Sequence, residues 1–71
     1  MSGAELGNAM KALRAQAGMT QAELAAAVGV TRKTINTVEN GVFIPSALLA
    51  LKIAKALDHP VDQVFWLQED M

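Results

Sequence analysis

Residues 32–37 crowd together Arg32, Lys33, Asn36 and Thr37, four side chains suited to reading the edges of DNA bases. Arg and Lys donate to guanine, Asn pairs bidentately with adenine, and the Thr methyl packs against the thymine methyl. If Ile35 and Val38 face a core, the helical period turns these four outward together with Thr31 and Asn40. A solvated helix face would also be polar, but it usually mixes in acidic residues, and none occurs between Glu23 and Glu39. Direct base contact is therefore predicted for Arg32, Lys33, Asn36 and Thr37.

The elements that must position these residues lie in 18–41, GMTQAELAAAVGVTRKTINTVENG. Thr20 followed by Glu23 forms a capping box, and Met19 with Leu24 supplies a hydrophobic staple, so a helix starts at Thr20. Gly29 breaks it. Thr31 caps a second helix over 32–40, Val30 and Ile35 repeat the staple spacing, and Gly41 closes it. Ala25, Gly29 and Ile35 have the spacing of a close helix–helix approach, a tight turn and an anchor under the second helix. An α-hairpin inside a bundle would show the same spacing; the basic, acid-free outer face separates the two. The layout is that of a helix-turn-helix, over about 20–40, whose second helix enters the major groove.

Around this unit the sequence predicts three more helices. Leu6, Met10, Leu13 and Ala17 recur at helical spacing, giving a first helix over 4–17 that ends at Gly18. Val42 to Pro45 is a short connection, and Ser46 caps a fourth helix reaching Leu57, with Ala50, Ile53, Ala54 and Leu57 inward. After Asp58-His59-Pro60, residues Val61 to Trp66 read as a short last helix with Val61, Val64 and Phe65 inward, and 68–71 as a frayed tail. The expected fold class is all-α: one five-helix domain over 1–71.

Composition narrows the function classes. The chain has 71 residues, 52% hydrophobic and 4% aromatic, and no cysteine, so its core must be aliphatic and neither disulfides nor a Cys/His zinc cluster is available. No apolar run approaches the ~18–20 residues of a membrane span, and the first ten residues lack a secretory pattern, so a cytoplasmic location is expected. Net charge is −1, low for a DNA-binding chain. Its distribution is uneven: residues 1–57 hold all six basic residues against Glu5, Glu23 and Glu39, whereas 58–71 hold Asp58, Asp62, Glu69 and Asp70 and no base. His59 stands alone beside a proline, and Asp58 and Asp62 have neither nucleophile nor second histidine near them, so no enzyme, cofactor or metal is expected. Lys52 and Lys55 read as a solvated face of the fourth helix.

TQAELAAAVGVTRKTINTVENG closely resembles the helix-turn-helix of the phage repressor and Cro family, the xenobiotic-response-element type. So does the framing, with ALRAQAGMT before it and PSALLALKIAKALDHPVDQVFW after it, and the resemblance covers roughly residues 9 to 67. T-Q-x-E-L-A and the E-N-G ending are specific to it. The resemblance implies a repressor-like five-helix domain that binds operator DNA as a two-fold dimer and regulates transcription. By position, Gln21 matches the glutamine that bonds a phosphate and braces the recognition helix. Arg32, Lys33, Asn36 and Thr37 match the groove-facing positions. Thr31 and Thr34 match cap and backbone contacts, Asn40 a phosphate contact, and Arg14 and Glu39 a partly buried structural ion pair.

Three positions depart from the family pattern. Val42 stands where Lys or Arg commonly grips phosphate, Ile44 where a polar residue is usual, and Leu48 where an exposed polar or acidic one is common. Lost charge implies fewer phosphate contacts and a shallow salt dependence. The three apolar residues could instead line a subunit or partner interface, joined by Trp66 and Leu67, or simply close a small core. The expected function is a sequence-specific transcriptional regulator, homodimeric on a palindromic operator in double-stranded DNA. The alternative is a protein-interaction module, such as an antitoxin or accessory subunit, with weak DNA binding of its own.

Overall fold

The computed structural model describes residues 4–69. Its elements run β1 (Ala4–Asn8), α1 (Met10–Ala17), α2 (Gln21–Val28), α3 (Arg32–Glu39), α4 (Ala47–Ala56), α5 (Val61–Val64) and β2 (Phe65–Glu69). Five helices are present as expected, but a two-stranded antiparallel sheet flanks them, so the fold is mostly helical and not all-α.

Residues 4–8 are a strand, not the opening turns of a helix. The side-chain oxygen of Asn8 accepts the Met10 amide at 3.1 Å, which starts α1 after the strand. Ahead of it Gly7, a poor helix former, pairs with Trp66 across the sheet. Likewise the last helix stops at Val64, and Phe65-Trp66-Leu67, a run with high strand propensity, continues as β2. Gln68 and Glu69 belong to that strand and do not fray; residues 70 and 71 lie outside the described residues. Val61, expected inward, is exposed, as is Ala17.

The sheet register, Leu6 opposite Leu67 and Asn8 opposite Phe65, turns these four to one face and leaves Trp66 over Gly7 on the other. Phe65 is buried, while Leu67, farther along the ribbon, is 70% exposed. Asn8 also ties the ribbon to the helices: its amide nitrogen donates to the carbonyls of Val38 and Glu39, both at 3.3 Å, at the end of α3. The Ala9 amide reaches the Val64 carbonyl at 3.0 Å, closing the junction of β1 with α5.

The core is aliphatic. Met10, Leu24, Ile35, Ile53 and Val64, one from each helix, are fully buried, and Leu13, Ala25, Val28, Val38, Ala54, Leu57 and Phe65 complete it. Met19, Val30 and Leu49, each near a helix start, pack on its rim. Left-handed geometry is put to use in two of the turns. Gly29, φ 78°, makes the turn between α2 and α3, and Asp58, φ 59°, reverses the chain after α4. Just beyond, a His59 ring nitrogen lies 2.8 Å from the Leu57 carbonyl, holding that histidine as a turn residue.

Candidate nucleic-acid interface

The α2–α3 unit is built by caps that satisfy the free amides at each helix start. Thr20 accepts the Glu23 amide at 3.0 Å while the Glu23 carboxylate accepts the Thr20 amide at 2.8 Å, a closed capping box. Thr31 accepts the Thr34 amide at 3.2 Å and so begins α3. Ile35 and Val38 are buried under the helix, which leaves Arg32 and Lys33 exposed and Asn36 and Thr37 half-buried on its outer side.

Local hydrogen bonds decide what each side chain presents. The Thr37 hydroxyl donates to the Thr34 carbonyl at 2.9 Å, so its proton is spent within the helix. Thr34 shares a hydroxyl–hydroxyl contact of 3.0 Å with Thr31. The Asn40 amide nitrogen donates to the Asn36 carbonyl at 2.8 Å and closes the end of α3. Thr37 also carries the turn that follows: its carbonyl accepts the amides of Val42 and Phe43.

Behind the face lies a chain of polar contacts crossing three helices. Arg14 on α1 donates through Nε to Glu39 Oε2 at 2.6 Å and through Nη2 to Oε1 at 3.1 Å. Its Nη1 donates to the Met19 carbonyl at 2.9 Å. The two side chains are only 13% and 5% exposed. Hydrogen bonding to Glu39 raises the Arg14 guanidinium above its ordinary value despite burial, so it stays charged. Gln21, at the start of α2, donates from Nε2 to Glu39 Oε1 at 3.1 Å, and its Oε1 accepts Arg32 Nη1 at 3.4 Å. The structure thus gathers Arg14, Gln21, Arg32 and Glu39 into one cluster.

Past α3 the surface changes character. Val42, Ile44 and Leu48 are 77%, 68% and 64% exposed, and Phe43 and Leu51 join them. They do not close the core. Between this loop and the ribbon is a cleft of about 330 Å³, lined by Leu6, Val38, Phe43 and Ile44 with Glu5 at its edge. Trp66 and Leu67 are exposed on the ribbon, and Lys52 and Lys55 on α4. Among the described residues no group of three or more His, Asp or Glu side chains could hold a metal ion, and no helix is long and apolar enough to cross a membrane. Asn8, the link between ribbon and recognition helix, was not singled out from sequence; its only signal was an Asn two residues ahead of an apolar helix start.

A model of the helix-turn-helix family matches residues 10–64. The chain belongs to this family, in its Cro/repressor type. Its members are DNA-binding transcriptional regulators, not enzymes. The uncharacterized HTH-type transcriptional regulator YgzD of Bacillus subtilis is 49% identical over 63 residues, spanning 89% of this chain and 96% of that protein. Antitoxin HipB of Escherichia coli O6:H1 is 41% identical over 54 residues, spanning 76% of this chain and 57% of the antitoxin. Among solved structures, the restriction-modification controller protein C.AhdI of Aeromonas hydrophila superposes with a TM-score of 0.72 at 33% identity, over 76% of this chain and 82% of that one. The c2 repressor of phage P22, solved with a synthetic operator, gives 0.72 at 30% identity, over 75% and 80%.

Proposed function

We propose that this chain is a cytoplasmic regulator that binds a palindromic operator as a homodimer, with α3 in the major groove. The observation that carries this reading is the outer side of α3, where Arg32, Lys33, Asn36 and Thr37 stand together on a helix anchored by buried Ile35 and Val38. In this reading Arg32, Lys33, Asn36 and Thr37 contact bases. Gln21, at a helix start whose free amides favour an anion, contacts phosphate together with Thr31, Thr34 and Asn40.

Two copies are needed because one recognition helix covers only a half-site. The apolar stretch Val42, Phe43, Ile44 and Leu48 directly follows α3, so a two-fold axis there would present both recognition helices to the same side of DNA, about 34 Å apart. The cleft beside Ile44 offers a seat for an apolar side chain from the second copy, and the exposed Trp66 and Leu67 of the ribbon would add to the interface. Selection from random duplex DNA, followed by a salt titration of the selected site, tests the proposal. A palindrome whose binding falls about 5- to 150-fold, about 1–3 kcal/mol, with Arg32→Ala or Asn36→Ala supports it. Recovery of no sequence overturns it.

A second reading has its own observation. HipB is by name an antitoxin, and the exposed apolar stretch would equally serve a protein partner. On that reading the chain is an interaction module, and Leu48→Glu abolishes partner binding while the free chain is monomeric.

A further inference from the structure

We infer that Glu39, too buried to reach DNA itself, sets the base preference of Arg32 by fixing which way the Gln21 amide points. The inference rests on the reading of α3 as the base-contacting helix and adds a determinant to it.

The argument runs through donors and acceptors. An ionised carboxylate only accepts hydrogen bonds, whereas an amide offers a donor at one end and an acceptor at the other. Glu39 Oε1 therefore takes the Nε2 end of Gln21, at 3.1 Å, and the Oε1 end must face the other way. There it meets Arg32 Nη1 at 3.4 Å, a donor that accepts nothing. Were the amide reversed, two donors would confront each other and Arg32 would be released.

Arg14 keeps Glu39 in this role. It spends Nε and Nη2 on the carboxylate and Nη1 on the Met19 carbonyl, so it holds the charge in place and is not free to turn to Gln21. The second Nε2 hydrogen of Gln21 is left for phosphate. Arg32 thus meets a base with its guanidinium already oriented, and the entropy of holding a long side chain is spent in folding and not on binding. Glu39 and Gln21 are positioning residues for a contact that Arg32 makes.

The test uses the whole chain and random duplex DNA as the probe. Arg32→Ala first identifies which base Arg32 reads, as the position where preference is lost. Glu39→Gln, whose amide accepts either end of Gln21, is then expected to lower discrimination at that one position about tenfold and leave the position read by Asn36 unchanged. Gln21→Met should do the same with the ion pair intact, and the double variant should be no worse than Gln21→Met alone. Discrimination is a ratio between bases, so a smaller folded fraction of Glu39→Gln does not alter it. Undiminished preference in Glu39→Gln, a loss spread evenly over all positions, or additive effects in the double variant would overturn the inference while leaving the DNA reading intact. A parent chain that selects no sequence overturns both.

Discussion

The indole of Trp66 occupies the space that a side chain at Gly7 would need. The two residues are cross-strand partners, and a Cβ at Gly7 would collide with the indole and with the Gln68 side chain. Glycine is required here for close approach, not for backbone freedom. Gly7→Ala is expected to displace Trp66 and destabilise the fold by about 1–3 kcal/mol. Trp66 is the only tryptophan, so intrinsic fluorescence, shifting to the red as the ring enters water, reports the displacement alongside a thermal melt.

Arg14→Met leaves Glu39 buried without its partner and should cost about 3 kcal/mol, read as a fall in urea midpoint at unchanged slope. The pH dependence has a definite sign. Because hydrogen bonding to Glu39 raises the folded guanidinium above its ordinary value, the stability it contributes is complete below that ordinary value and is lost only as pH rises through the raised one. The gap in urea midpoint between parent and Arg14→Met should therefore stay constant through mildly alkaline pH.

Val42 is 77% exposed just beyond α3, and with α3 in the groove as proposed a charge at this position would serve phosphate binding. Val42→Lys is expected to tighten binding to random duplex DNA and to steepen the dependence of log affinity on log salt by about 1. A salt titration by fluorescence anisotropy gives that slope.

Leu48→Glu places a charge in the proposed seam. The parent is expected to sediment as a dimer at micromolar concentration and the variant as a monomer, with circular dichroism unchanged because Leu48 is outside the core.

The sequence signals that survive in the structure are local ones. Thr20 with Glu23, Gly29, and Thr31 with Thr34 act within a few residues of each other, so caps and turn are readable from spacing alone. Gly7 and Trp66 carry no such signal. AELGN and FWLQE are each five residues long, too short to show alternation, and Leu6 happens to continue the helical spacing of Met10 and Leu13. Only pairing across the whole helical body makes them strands. The same limit applies at the interface. The ion pair of Arg14 with Glu39 could be expected from the resemblance, but the contacts of Gln21 with that carboxylate and of Arg32 with Gln21 require three helices to have packed.

The Asn8 hydrogen bonds and the ribbon they anchor also order the folding reaction. Every helix lies between β1 and β2, so the strand pairs from Asn8–Phe65 out to Ala4–Glu69 close one long loop, with the largest entropic penalty in the molecule. The capping box, the other helix caps and the α2–α3 turn involve near neighbours and are expected to form first. Ribbon substitutions such as Gly7→Ala should then quicken unfolding and leave the refolding rate almost untouched. On this expectation the ribbon is a late latch: it would set how long α3 stays docked, not how fast it forms.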